Sequence, residues 1–266
     1  MRPYKLTYWN VPGRGESIRM MLALGDFDFE NDFTPLPFPI STDLSPPAFD
    51  VEAWMKLKPK TPWGTLPTLT LPDGTEVGQQ RAILRYLGKL SKHENYTLYP
   101  DDPVLALKVD GLMDMLEDIW PILVGLNGTD SFETAPLLST MFGKPYLDDF
   151  ISERMKPKKG DLALMFDHID RAYSEGPYLL ANRPSCADVL LFAAIAWWGA
   201  GMFPSMDIML SDRPNIQRAV ERVGTWGKLR DYYLKWKSSR SNLPKVGVTN
   251  YEDFYKNFHS LCGLNQ

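Results

Sequence analysis

Residues 3–25 read PYKLTYWNVPGRGESIRMMLALG. The first seven, PYKLTYW, alternate and are rich in aromatic residues, the pattern of a strand whose successive side chains face opposite ways. Val11-Pro12-Gly13 then turns the chain, and residues 14–25 follow a helical period. Strand, short loop and helix in this order open an α/β unit. Open α/β sheets form their ligand crevices at strand ends, which is where this order puts Tyr8.

Working outward, a second strand is predicted at about 28–33, followed by a Pro-rich stretch at 35–47 and a short helix or loop from Trp54 to Lys60. A strand at 66–71 runs into the tight turn Pro72-Asp73-Gly74 and a last strand at 75–78. In QQRAILRYLGKL, residues 79–90, Ile83, Leu84, Leu87 and Leu90 share one helical face. The order β-α-β-(α)-β-β-α is thioredoxin-like, with a mixed four-stranded sheet, and fills residues 1–91. The polar stretch 92–102, with Pro100-Asp-Asp-Pro103, reads as a linker.

From 103 to 266 the strand signals stop and an all-α bundle is expected, with helices at 103–125, 145–173, 185–200, 213–223 and 225–237. ADVLLFAAIAWW, residues 187–198, is apolar on nearly every side and marks a helix buried within the bundle. Ser185-Cys-Ala-Asp188 has the spacing of a capping box at its start. An extension from about 238 carries Tyr251, Phe254, Tyr255, Phe258 and Leu261 at helical spacing.

Bulk properties exclude several classes. A 266-residue chain that is 44% hydrophobic and 23% charged is globular rather than disordered or fibrous. Net charge is −4 with Lys and Arg scattered, so nucleic acid is not an expected partner. Neither a signal peptide nor a membrane-spanning apolar run is visible, which makes the cytoplasm the default compartment. Cys186 and Cys262 are too few and too far apart for a disulfide framework, and His93, His168 and His259 lack metal-ligand spacing, so no metal is expected.

Three features carry chemistry. A phenol at Tyr8 could donate a hydrogen bond to a bound thiolate, favouring charged sulfur and making a nucleophile at neutral pH; a lone tyrosine at a strand end is otherwise a packing residue. Trp63-Gly64-Thr65-Leu66-Pro67 brings a loop into a strand through a Leu–Pro bond. In thioredoxin-like domains that proline is cis and the residue before it pairs its backbone with a peptide ligand; a plain loop proline is the bland reading. Gly78-Gln79-Gln80-Arg81 opens a helix whose unpaired N–H groups could hold a carboxylate, unless the glutamines are merely solvated. The specific signal is the order of all three along about eighty residues.

YKLTYWNVPGRGESIRMMLAL, WGTLPTL and GQQRAILRYL resemble segments of the cytosolic glutathione transferases, closest to the sigma class, and VDGLMDMLEDIW and SCADVLLF resemble helices of their second domain. The resemblance implies an enzyme that uses glutathione as co-substrate and joins its sulfur to a small hydrophobic electrophile, with isomerase or peroxidase variants. It implies that Tyr8 stabilises the glutathione thiolate with Arg14 behind it. Trp54 and Lys58 would meet the glycine end, Leu66 beside cis Pro67 the cysteinyl part, and Gln79 and Gln80 the γ-glutamyl end. Asp118 would reach the neighbouring subunit's site in a homodimer, in which Trp63 matches the aromatic key of related classes.

The chain departs from that pattern in places. The family's usual Gln-Ser is Gln79-Gln80 here, which puts a longer amide where a small hydroxyl donates and predicts weaker or reoriented glutathione binding. About fifteen extra residues lie between the second strand and Trp54, and a longer connection spans about 126–145. The same scaffold also serves catalytically weak binding or structural proteins, and the fold alone does not decide.

Overall fold

The structure, a computed structural model, describes residues 2–9, 12–34, 51–123, 160–198, 210–240 and 260. The N-terminal elements are β1 (Tyr4–Trp9), α1 (Gly13–Leu24), β2 (Phe29–Thr34), α2 (Val51–Leu57) with a 3-10 turn at Lys58–Lys60, β3 (Thr68–Thr70), β4 (Glu76–Gly78) and α3 (Gln80–Leu90). The sheet order is β2-β1-β3-β4. β1 runs parallel to β2, with Tyr8 opposite Phe33, and antiparallel to β3, with Leu6 opposite Leu69. β3 and β4 are antiparallel. The parallel pair needs a crossover, and α1 supplies it. The expected mixed four-stranded α/β unit is therefore present.

β3 is shorter than the predicted 66–71, for reasons at both ends. Pro67 has no N–H to give a ladder, and it follows Leu66 through a cis bond. Leu71 has already entered the turn, accepting from the Gly74 N–H at 2.9 Å. Gly74 stands at φ +94, a left-handed conformation that glycine reaches without steric cost.

The stretch expected as a bare linker holds a small antiparallel hairpin, β5 (Lys92–His93) with β6 (Tyr96–Thr97). KHENYT has no apolar alternation, so periodicity gave no sign of it. Five helices follow among the described residues: α4 (Pro103–Leu123), α5 (Asp161–Ala172), α6 (Cys186–Trp197), α7 (Pro214–Gly224) and α8 (Gly227–Arg240). Apart from isolated bridges between Tyr178 and Ala181 and between Leu180 and Arg183, this part is helical, as anticipated.

α6 is the centre of the bundle. Every residue from Cys186 to Trp197 except Ala194 is buried, and each large aliphatic side chain so buried contributes roughly 1.5–3 kcal/mol. Its start is the predicted capping box: Asp188 Oδ2 accepts from the Ser185 backbone N–H and hydroxyl, both at 2.7 Å. The other Asp188 oxygen accepts from Tyr173 and from the Leu179 N–H. α6 packs on α1, α4 and α7.

α1 joins the two halves. It covers the sheet and also packs on α3, α6 and α8, so the whole run Gly15–Leu22 is buried, charged residues included. The hairpin is pinned to the start of α8 by His93 stacked on Trp226, with ring centroids 3.9 Å apart. No described helix is long and apolar enough to cross a membrane. The Pro-rich stretch 35–47, the connection at 126–145, His259, Cys262 and the aromatic residues of the extension lie outside the described residues.

Candidate active site

Tyr8 lies near the end of β1, only 5% exposed, against the first turn of α1. The approach is close because two glycines permit it. A Cβ on Gly13 would lie 2.7 Å from the Tyr8 hydroxyl, and one on Gly15 would lie 2.5 Å from Cδ1. Gly13 also stands at φ +41. The Arg14 backbone N–H donates to the Tyr8 oxygen at 3.0 Å. With an acceptor site used this way, the phenolic hydrogen is left to be given to something else. Burial raises the phenol pKa, against the Arg14 N–H and the charges of Arg14 and Arg19, which lower it. The phenol therefore stays protonated at neutral pH and serves as a hydrogen-bond donor rather than a base.

The Arg14 side chain turns to α4. Its two terminal nitrogens hold the Glu117 carboxylate at 2.5 and 2.6 Å, a fork-to-fork pair, and its guanidinium lies 5.8 Å from the Trp120 ring centroid. A narrow cleft opens beside this pair. Gly13, Arg14 and Glu117 lie at one end, and Met113, Trp120, Ala194, Trp197 and Trp198 are among the residues that line the rest. The cleft is half open to solvent, and about 440 Å³ of space lies in and directly over it. An apolar slot with a few polar groups at one end has the character of a small-molecule site.

The other predicted residues fall at different distances from this centre. Gln79 has φ +73 and ψ +108, a conformation that costs a non-glycine residue on the order of 1–3 kcal/mol and is concentrated at functional sites. The first helical bond of α3 runs from the Ile83 N–H to the Gln79 carbonyl, so the N–H groups of Gln80, Arg81 and Ala82 have no acceptor within the helix. Such a helix start suits a carboxylate. The Gln80 side chain itself turns inward, only 9% exposed, and donates to Ser17 Oγ at 2.8 Å. Arg81 ion-pairs with Asp114 of α4.

Trp54 packs edge-on against Trp9, the residue after Tyr8, at 4.8 Å between centroids. Lys58 passes beside Gly64 in the loop that leads to Leu66 and cis Pro67. Trp63 lies against Gly78 yet remains 69% exposed. Asp118 is exposed and makes no side-chain hydrogen bond or ion pair among the described residues. Thus Arg14 and Gln80 line the cleft, with Tyr8 bonded to the Arg14 N–H at its edge, whereas Trp54 packs on Trp9, Lys58 lies beside Gly64 and Asp118 is exposed.

Sequence reasoning missed Glu117 and a buried charged group beneath Tyr8. Arg19 and Glu16, both wholly buried, pair at 2.9 Å. Arg19 Nε donates to Asn31 at 2.7 Å, and Glu16 accepts from Tyr233 at 2.8 Å and Tyr232 at 3.1 Å. The i,i+3 spacing of Glu16 and Arg19 was visible, but that spacing ordinarily marks a solvated helix face. Among the described residues no group of three or more His, Cys, Asp or Glu side chains could hold a metal ion.

The family model "Glutathione S-transferase, C-terminal domain" matches residues 155–222. Over 241 residues the chain is 36% identical to "Probable glutathione S-transferase 7" of Caenorhabditis elegans, covering 91% of this chain and 98% of the relative. The chain belongs to the glutathione S-transferase family. This glutathione S-transferase is also 26% identical to "Glutathione S-transferase 1" of Ascaris suum over 247 residues, 92% of this chain and all of the relative. Its fold matches that of prostaglandin synthase D of Nilaparvata lugens with a TM-score of 0.62 at 22% identity, covering 88% of this chain and 98% of that one. Family membership makes the chain a transferase enzyme with glutathione as co-substrate.

Proposed function

We propose that Tyr8 holds glutathione as its thiolate, by donating the phenolic hydrogen to sulfur, and that the sulfur attacks a hydrophobic electrophile lying in the tryptophan-lined cleft. The observation that carries this is the Arg14 N–H donated to the Tyr8 oxygen at 3.0 Å. It holds the phenol against Arg14, which lines the cleft, with its own hydrogen to give. Arg14 adds positive charge nearby. The γ-glutamyl carboxylate sits at the start of α3, held by Gln79 and the Gln80 N–H, and the cysteinyl backbone pairs with Leu66 beside Pro67. Trp54 and Lys58 meet the glycine end.

Residues 1–91 form the glutathione domain, 92–102 the connection and 103–266 the electrophile-binding domain. The working form is a cytosolic homodimer in which Asp118 reaches the neighbouring site and the exposed Trp63 is covered by the partner. Light scattering at micromolar concentration then gives twice the chain mass; a monomer overturns that part. Isomerisation of a lipid-derived substrate would use the same thiolate, and the prostaglandin synthase D of Nilaparvata lugens shares the fold.

Chlorodinitrobenzene tests the chemistry. The thiol loses its proton, sulfur bonds to the ring carbon bearing chlorine, and chloride leaves. Tyr8→Phe loses at least about tenfold in rate, since removing one donor to a developing anion commonly costs more than that, while calorimetry shows glutathione still bound. A wild-type chain that binds no glutathione would instead favour the catalytically weak reading, for which the inward turn of Gln80 is the supporting observation.

A further inference from the structure

Below the Tyr8 ring lies a buried ion pair, Arg19 with Glu16, that is not among the residues lining the cleft. The Arg19 guanidinium lies 5.9 Å from the Tyr8 ring centroid and 5.1 Å from that of Phe33. A Cβ on Gly15 would meet both Tyr8 and Arg19, so the ring, the glycine and the guanidinium stack tightly. Arg19 is bound to Asn31 of β2 and to Glu16, and Glu16 receives two hydroxyls from α8. Burying a pair this completely is costly unless every member is hydrogen-bonded, and hydrophobic residues of similar volume would fill the same space.

We infer that Arg19 is a positioning residue for the thiolate step, a second cation held under Tyr8, and that Tyr232 and Tyr233 of α8 keep it there through Glu16. The inference rests on the Tyr8 reading above. The charged groups that act on Tyr8 are Arg14 and Arg19 of α1 and Glu117 of α4; Glu16 is joined to Arg19, and Asp32 of β2 accepts from Thr7, the residue before Tyr8. Each arginine has its own carboxylate, Arg14 with Glu117 and Arg19 with Glu16 at 2.9 Å, but the Arg19 guanidinium itself lies 5.9 Å from the Tyr8 ring centroid and favours negative charge there, the direction that stabilises the sulfur above it. Each tyrosine hydroxyl strengthens that effect by turning its positive end toward Glu16.

The test is the pH profile of kcat/KM for glutathione with chlorodinitrobenzene. Two variants, Glu16→Gln/Arg19→Met and Tyr232→Phe/Tyr233→Phe, keep the side-chain volumes and leave no lone buried charge beyond the one already paired. Both are expected to move the apparent thiol pKa upward, the first by about half a unit or more and the second by less, with glutathione affinity within about threefold of wild type. Thermal unfolding shows whether each is folded. A folded variant of either kind that titrates as wild type overturns the inference and leaves the network as packing alone. Tyr8→Phe run in parallel separates the two readings. If its profile is also unshifted, the thiolate role of Tyr8 falls; if it shifts while the network variants do not, only the Arg19 role falls.

Discussion

Arg14 grips Glu117 with both terminal nitrogens, at 2.5 and 2.6 Å, across the gap between the first turn of α1 and the middle of α4. The pair ties the glutathione-facing half to the helical half at the mouth of the cleft. It also neutralises the cation nearest to Tyr8, because Glu117 itself opposes a negative charge at that point.

Glu117→Gln removes that opposing charge while keeping the shape of the side chain. The pH profile of conjugation should move to lower pH, by a few tenths of a unit, because the thiolate then faces an uncompensated Arg14. This is the direction opposite to that expected of the Arg19 variants. Stopped-flow titration of the bound thiolate absorbance measures it without reference to the electrophile.

Gly15→Ala sets helix propensity against packing. Within a helix the exchange ordinarily stabilises by about 1 kcal/mol. Here the new methyl group would lie 2.5 Å from Tyr8 Cδ1 and 3.2 Å from an Arg19 terminal nitrogen, and overpacking of that kind costs about 1–3 kcal/mol. The expected outcome is a lower melting temperature together with lost conjugation activity, checked by thermal unfolding and initial rates. An unchanged melting temperature would mean that the Tyr8 ring can move aside.

Gln80→Ser replaces an inward-turned amide with a hydroxyl at the start of α3. One added hydrogen bond to a charged carboxylate is worth about 1.5 kcal/mol, so glutathione should bind about tenfold more tightly by calorimetry. The hydrogen bond to Ser17 is lost in exchange, and a modest drop in melting temperature accompanies the gain. Unchanged affinity would show that the backbone donors alone hold the γ-glutamyl end.

His93 gives the fold a pH dependence. Burial against Trp226 lowers its pKa, with Arg222 and Lys228 acting in the same direction and Glu94 against it. A group with a lowered folded pKa contributes stability that is present above its unfolded value, about 6.5, and is lost as pH falls toward the folded value. The melting temperature should therefore fall between pH 7.5 and 5.5, and fall less in His93→Phe, which keeps a ring against Trp226.

Much of this was legible in the chain. The opening β1–α1 unit, α3, the buried character of α6 and the capping box at Ser185 and Asp188 all follow from local periodicity and spacing, because each depends on residues within one turn or one strand. Tyr8 stood out by its place at the end of the first strand, whereas Arg14, six positions on, was named by the family resemblance; the bond from the Arg14 N–H to Tyr8 is a property of one loop. What escaped notice depends on distant partners. Glu117 meets Arg14 from 103 residues away, and Glu16 and Arg19 look like a surface pair until helices from the other half cover them. α1 has little amphipathic pattern to betray this, since it is buried on both sides. The β5–β6 hairpin escaped because its residues are polar and its strands only two residues long.

The reach from Glu16 to Tyr233 spans 217 positions, and that span has a consequence for how the protein is made. Translation proceeds from the N-terminus, and leading domains commonly fold while the rest is still being added. In this chain the first sheet and helix can assemble early, but the carboxylate in their midst has no hydroxyl donors until the ribosome has polymerised α8. Nascent chains halted before Tyr232 should therefore remain loosely folded around α1, and the site beside Tyr8 becomes fixed only once α8 has been made.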